Sequence, residues 1–196
     1  MKKIMFNDKY CLTQAVLDGK KTMTRRAVRR SLLDEYDSWY EDFIYNPVGE
    51  EKYLSVDEYV LKRTAYKVGE IVAIAQSYHT LNKSGYTAPE WLDHVCESSA
   101  GYENKMFVRA DLMPHHIKIT DVKVERLQYI SDGDILKEGV FQFDELFYVS
   151  KDIGHAPTVA FPSAREAFWY FIDKISGKGT WESNPWVVAY SFELVD

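Results

Sequence analysis

The chain of 196 residues is acidic, with a formal net charge of −6, and 46% of its residues are hydrophobic. This composition is typical of a globular protein with a sizeable core, and it argues against a protein that coats nucleic acid by charge alone. The chain opens with Met1-Lys2-Lys3, shows no signal-peptide pattern and has no apolar run long enough for a membrane span. We therefore expect a cytoplasmic protein with no membrane partner.

The first notable segment follows a short predicted helix at 12–18. Gly19 can adopt the left-handed conformation that commonly ends a helix. The next residues, Lys20-Lys21-Thr22-Met23-Thr24-Arg25-Arg26, place four cations and two hydroxyls within seven positions. In an acidic protein this local reversal of charge predicts an anion-attracting site with a candidate base and nucleophile, although such clusters are also typical of solvated basic turns.

Two blocks, 27–65 and 78–104, are interpreted as insertions within a single domain that spans 1–196. The first holds a predicted helix from Ser31 to Tyr45, and 56–63 is a second helix or a turn. The acid-rich aromatic stretch Asp34 to Asp42 repels phosphate, so we expect it to cover a cleft or to meet a protein partner. In the second block, Ala88 to Leu92 is typical of a helix start with proline in its first turn.

Short apolar runs predict the strands of the scaffold. A turn at 68–70 precedes one strand, and 106–110 and the alternating 186–194 predict two others. Apolar residues alternate from Ile117 to Val124, but their parity changes across Thr120-Asp121, which indicates a β-bulge. Ser131 and the Ser163–Glu166 capping box predict the starts of two later helices. Together, the predicted helices and strands indicate an α+β protein.

Four segments, taken in order, carry a resemblance to a known family. They are Gly19 with Lys21-Thr22-Met23-Thr24-Arg25-Arg26, then Lys67-Val68-Gly69-Glu70-Ile71-Val72, then Leu136-Lys137-Glu138-Gly139-Val140, and finally Gly179-Thr180-Trp181-Glu182-Ser183-Asn184-Pro185-Trp186-Val187. They resemble the landmarks of ASCH domains, which are PUA-like β-barrels, and the last resembles the ending of longer, phage-type members. The resemblance covers about half of the chain and neither insertion.

This resemblance implies a PUA-like mixed barrel of about five or six strands with outer helices and a cleft for a nucleobase-like ligand. Some compact ASCH proteins are amidohydrolases that deacetylate N4-acetylcytidine. By motif matching, their catalytic lysine, threonine and glutamate correspond to Lys21, Thr24 and Glu138. Lys21 would serve as base, Thr24 would attack or orient water, and Glu138 would protonate the leaving amine, without metal or cofactor.

Several alternatives remain open from the sequence. On a regular strand Lys21 and Thr24 would face opposite sides, so Thr22 and Lys20 compete for the roles of nucleophile and base. The predicted ligand-binding residues are Lys20, Arg25, Arg26, Arg109 and Trp181. The alternative function is a non-catalytic module that binds RNA or a nucleotide, with the basic residues on phosphates.

Metal binding is not predicted. Cys11 and Cys96 lie far apart, and the five histidines have no acid or cysteine at ligand spacing.

Overall fold

The computed structural model describes residues 1–45, 52–83, 99–149 and 159–195. Within these ranges the protein is α+β, with one five-stranded mixed sheet and one two-stranded hairpin. The strands are β1 Lys3–Ile4, β2 Met23–Ala27, β3 Ile71–Ile74, β4 His116–Arg126, β5 Val140–Phe143, β6 Leu146–Val149 and β7 Trp186–Leu194. The helices are α1 Leu12–Leu17, α2 Arg30–Tyr45, α3 Val56–Lys62, α4 Tyr78–Lys83, α5 Ala100–Glu103, α6 Asp132–Lys137, α7 Ala164–Ser176 and α8 Thr180–Ser183. None of the helices in the described ranges combines the length and the apolar character needed to cross a bilayer.

The large sheet has the strand order β1-β3-β4-β7-β2. β1 runs parallel to β3, and the other neighbours are antiparallel. Among the described strands, β1 pairs only with β3, and β2 pairs only with β7. The strands β1 and β2 therefore form the two edges of the sheet. The sheet is therefore open, and the predicted barrel closure is not confirmed because no ladder joins β1 to β2.

The long strand β4 contains the predicted bulge. Its register against β7 shifts between Ile119 and Asp121, which confirms the change of parity seen in the sequence. The main core lies where this sheet packs against α7 and the β5–β6 hairpin. Phe168 and Phe171 of α7 are fully buried in it. The Ser163 hydroxyl accepts a hydrogen bond from the Glu166 N–H, which confirms the predicted start of that helix.

The described parts of the two predicted insertions add helices. α2 and α3 come from the first block, and the Tyr36 and Tyr59 rings pack edge-to-face with centroids 5.2 Å apart. Leu32 and Leu33 of α2 also pack against the main core. In the second block, Ala88 to Leu92 falls outside the described residues. Whether these blocks are insertions stays a prediction.

The strand predicted at 106–110 is wrong. Lys105–Phe107 and Ala110–Leu112 form single 3₁₀ turns instead. The Asn104 side chain caps the Met106 N–H, and Lys3 Nζ donates to the carbonyls of Met106 and Val108 at 2.6 Å each. These local and side-chain partners satisfy the backbone groups that a strand would have used for a ladder.

Candidate active site

The basic segment begins where α1 ends. Gly19 has a φ of +70°, and the N–H groups of Lys20 and Lys21 both donate to the Ala15 carbonyl at 2.9 Å. This arrangement turns the chain back against the helix and directs it into the sheet. Lys21 thus lies before β2, which starts at Met23. Because Lys21 is not part of the strand, the alternation of side chains along β2 does not force Lys21 and Thr24 onto opposite faces of the sheet.

Lys21 is buried against Glu138, the residue that follows α6. Its side chain is 2% exposed, and Nζ donates to Glu138 Oε2 at 2.7 Å and to the Glu138 carbonyl at 2.6 Å. Burial lowers the pKa of the Lys21 ammonium, while the Glu138 carboxylate opposes that change. The lysine is therefore held in a fixed geometry, with its proton easier to remove than that of a solvated lysine.

Lys21, Thr24 and Glu138 line one pocket of about 210 Å³. The pocket lies between the start of β2 and the face of α7. Its other polar lining residues are Asn7, Arg25, Arg26 and Ser176, and its apolar wall is formed mainly by Phe6, Leu12, Phe168, Phe171, Ile172 and Ile175. An apolar wall with a few converging polar groups is the usual composition of a site for a small organic ligand.

Thr24 is the threonine that faces this pocket. Its backbone lies opposite Tyr190 in the β2–β7 ladder, and its side chain is buried. Among the described residues, no side chain or backbone group forms a hydrogen bond with the Thr24 hydroxyl, which leaves that group available to a ligand. Thr22, the sequence competitor, does not line the pocket, and its backbone bonds to Lys137 and Phe192.

Arg25 is bound by three carboxylates. Its Nε and Nη2 donate to Glu125 Oε1 at 3.1 and 2.7 Å, and Nη2 also lies 3.2 Å from Asp134 Oδ2. Its Nη1 donates to Glu138 Oε1 at 3.1 Å, so Glu138 receives one cation on each of its oxygens. Arg25 lines the pocket, but its guanidinium already has acids of the protein as partners. Its predicted role as an anion ligand stays a prediction.

The acids around Arg25 are in turn paired with lysines nearer the surface. Lys123 Nζ lies 2.7 Å from Asp134 and 3.4 Å from Glu125, and Lys137 Nζ lies 3.4 Å from Asp134. Burial alone would raise the pKa of Asp134, but the hydrogen bond from Lys123 and the charges of Lys123 and Arg25 lower it below its ordinary value. The result is a network of ion pairs behind the pocket, in which each acid has at least one cationic partner.

This network was missed in the sequence because strand register creates it. Arg25 lies opposite Ala189, and Ala189 lies opposite Lys123, so these three residues share one face of the sheet. The small Ala189 side chain lets the guanidinium on β2 cross β7 and reach Glu125 on β4. In the sequence, this network is visible only as charged residues on strands that later become neighbours. Predicting it requires knowledge of the strand order β4-β7-β2.

The other predicted ligand-binding residues differ in position. Arg26 lines the pocket, is exposed, and donates to the Met5 carbonyl. Lys20 is exposed, pairs with Asp18 at 3.2 Å and does not line the pocket.

Arg109 and Trp181 also lie outside the pocket lining. Arg109 is exposed and pairs with Asp111 at 2.6 Å. The Trp181 ring packs edge-to-face on Phe168, with centroids 6.1 Å apart, and contributes to the core. Its indole is therefore a structural group in this fold.

Within the described ranges, no group of three or more His, Cys, Asp or Glu side chains is arranged to hold a metal ion. The polar groups that line the pocket are ammonium, guanidinium, amide, hydroxyl and carboxylate groups.

No protein-family model matches the chain, and no curated protein matches it. One similar solved structure is the crystal structure of protein EF3133 from Enterococcus faecalis V583, assigned to the family DUF984. The two share 16% sequence identity with a TM-score of 0.40, and the alignment covers 100% of this chain and 81% of the other. A similarity of this size does not establish a family.

Proposed function

We propose that the protein is a metal-independent amidohydrolase that acts on an acylated nucleobase or nucleoside of the N4-acetylcytidine type, in a diverged ASCH-like, PUA-like fold. The observation that carries the proposal is the convergence of Lys21, Thr24 and Glu138 on one small pocket, with the lysine buried against the glutamate. The sequence resemblance supplies the substrate class, and the geometry supports the roles of the three residues.

The Lys21–Glu138 pair can generate both the base and the acid that amide hydrolysis needs. A proton passing from Lys21 Nζ to Glu138 Oε2, across 2.7 Å, leaves a neutral amine and a neutral carboxylic acid. Burial favours this exchange because it removes two charges from a site shielded from water. The net charge of the pocket does not change.

Catalysis then follows by balanced proton transfers. The Lys21 amine takes the proton of the Thr24 hydroxyl as the Thr24 oxygen attacks the acyl carbon of the substrate. Glu138 donates its proton to the amide nitrogen that leaves. The amine departs, an ester forms on Thr24, and the pair is again an ammonium and a carboxylate. Water then attacks the ester, with Glu138 accepting its proton and Lys21 protonating the Thr24 oxygen. If Thr24 orients a water molecule instead, Lys21 takes a proton from that water as it attacks the acyl carbon, and Glu138 protonates the nitrogen that leaves. No ester forms in this case, and a proton passing from Lys21 to Glu138 restores the neutral pair.

The charge balance of the pocket favours an uncharged substrate. Lys21 and Arg25 are paired with acids, and Lys20 is paired with Asp18. Of the cations in the basic segment, Arg26 is the one without an acidic partner among the described residues, and its guanidinium already contacts the Met5 carbonyl. A module for RNA would be expected to offer unpaired cations along an open groove. The pocket therefore supports the amidohydrolase over the alternative of an RNA-binding module.

The test is release of cytidine from N4-acetylcytidine by the purified protein. The chain offers matched controls, because Lys20 and Thr22 neighbour the proposed residues but do not line the pocket. We expect Lys21→Met, Thr24→Val and Glu138→Gln to lower kcat at least a hundredfold, and Lys20→Met and Thr22→Val to leave it within about twofold.

Two results would contradict the proposal. One is no turnover of any acylated nucleoside by a folded wild-type protein. The other is equal loss of activity in the pocket variants and their neighbours. Salt-dependent RNA affinity in the first case would favour the binding module.

A further inference from the structure

Arg25 occupies a position that the proposed chemistry does not use directly. Its guanidinium reaches Glu138 from the side opposite Lys21, with Nη1 on Oε1 while Lys21 Nζ holds Oε2. A carboxylate held on both oxygens cannot rotate away from its partner. The Arg25 side chain is only 1% exposed, so few of its donors can meet a ligand.

The guanidinium is itself held in place. Nε and Nη2 both donate to Glu125, and Nη2 also contacts Asp134, so donors on three nitrogens have acidic partners. Glu125 lies on β4 and outside the pocket lining. This fork geometry is available to arginine and not to lysine, whose ammonium is a single point charge.

We infer that Arg25 is a positioning residue that orients the Glu138 carboxylate toward Lys21, and that Glu125 anchors Arg25 for this purpose. The inference rests on the proposed function for its catalytic consequence. The effect of Arg25 on the titration of Lys21 does not depend on the proposed function, because Arg25 acts on the Lys21–Glu138 pair whether or not a substrate is hydrolysed.

The charged groups that face this pair come from three elements. They are Arg25 and Arg26 on β2, Lys123 and Glu125 on β4, and Asp134 and Lys137 on α6. α7 faces the pocket with Phe168, Phe171, Ile172, Ile175 and Ser176, none of which titrates. Changes in the titration of Lys21 can therefore be assigned to a small set of neighbours.

The experiment measures the pKa of Lys21 by NMR of the wild type and two variants with labelled lysine side chains, using Lys21→Met to assign the signal. Arg25→Gln removes a cation that repels the Lys21 ammonium, so we expect the pKa of Lys21 to rise. Glu125→Gln leaves the Arg25 charge less compensated, so we expect a shift in the opposite direction. Opposite shifts would show that the charge of Arg25 acts on the Lys21–Glu138 pair, and Arg25→Lys, which keeps the charge, then tests the orientation of Glu138 separately.

Steady-state kinetics provide the second measurement. Arg25→Lys keeps the charge but loses the fork, so we expect kcat for N4-acetylcytidine to fall about 10- to 100-fold with KM within twofold. If Arg25 instead bound a substrate anion, KM would rise for the 5′-monophosphate of that nucleoside and not for the nucleoside itself, and this result would overturn the inference.

The two proposals can fail separately. Absence of hydrolysis by the wild type, with shifts of opposite sign at Lys21 and a Lys21 pKa in Arg25→Lys that differs from the wild type, would remove the amidohydrolase and retain the positioning of Glu138. Hydrolysis with a Lys21 pKa that is the same in all folded variants would retain the enzyme and overturn the role of Arg25. Should Arg25→Gln fail to fold, Arg25→Lys and Glu125→Gln still supply both measurements.

Discussion

A buried lysine ammonium is costly, because removing one charge from water carries an effective penalty of several kcal/mol. Lys21 has two acceptors to offset that penalty, the Glu138 carboxylate and the Glu138 backbone carbonyl. The same environment makes the proton of Lys21 easier to remove than that of a solvated lysine. The feature that strains the fold is therefore the one that suits Lys21 to proton transfer.

The burial of Lys21 predicts how stability changes with pH. Its folded-state pKa is lowered from the ordinary value of 10.5, so between the lowered value and 10.5 the unfolded chain binds a proton that the folded chain has lost. Stability rises with pH wherever the unfolded state holds more protons. We therefore expect the free energy of unfolding of the wild type, relative to Lys21→Met, to increase with pH across this window.

Urea denaturation of both proteins at a series of alkaline pH values measures this difference. Taking the difference between the two proteins cancels the titration of the other lysines. A difference that stays constant up to pH 10.5, or that falls, would contradict the lowered pKa of Lys21.

For individual residues, the sequence could identify the candidate catalytic residues but not the acids that bind Arg25. The Lys21-Thr22-Met23-Thr24 motif and Glu138 were found because each stands in a recognisable local pattern. The acids that hold Arg25 lie 100, 109 and 113 positions away along the chain. Contacts at such separations depend on strand order, and local sequence patterns carry no information about strand order.

Among the elements, the end of α1 decides where the basic segment lies. Gly19 sits at a φ of +70°, and a Cβ added there would meet no atom within 4 Å. The requirement for glycine is thus a property of the backbone conformation and not of space.

Gly19 therefore allows a matched pair of substitutions. We expect Gly19→Ala to destabilise the protein by about 1 kcal/mol, and Gly19→Asn to cost clearly less, because asparagine tolerates the left-handed region better than other residues with a Cβ. Chemical denaturation of the three proteins measures the order. Equal losses in the two variants would show that the backbone conformation at Gly19 is not the cause.

Local signals predicted several other elements. The bulge on β4 and the Ser163 cap of α7 were visible because each depends on residues within a few positions. The segment at 106–110 was mistaken for a strand because its apolar residues resemble a strand run. Its carbonyls accept from Lys3, a residue more than 100 positions earlier, and a window of local sequence cannot contain that partner.

For the molecule as a whole, charge pairing outweighs net charge near the pocket. The protein carries a formal charge of −6, yet the cations Lys21, Arg25, Lys123 and Lys137 and the acids Glu125, Asp134 and Glu138 pair with one another locally. An uncharged ligand carries no condensed counterions, so its binding releases none.

We therefore expect the affinity for an N4-acylated nucleoside to be almost independent of salt. A change of less than about twofold between 50 and 200 mM salt is the expected result, whereas binding through six or more phosphates would lose about a thousandfold or more. Titration calorimetry with the Thr24→Val variant, in which turnover is expected to be at least a hundredfold slower and the Lys21–Glu138 pair is kept, limits hydrolysis during the measurement. A steep dependence would favour RNA as the ligand.

The pairing of β2 with β7 has a consequence for the order in which the molecule forms during synthesis. β2 carries Thr24 and Arg25, and among the described strands its partner is β7, which ends at Leu194. At translation rates of roughly 5–20 residues per second, β2 waits about 10 to 30 s on the ribosome before that partner exists. The pocket therefore cannot assemble before β7 has been synthesised, and during that interval the edge of β2 that later pairs with β7 has no partner strand.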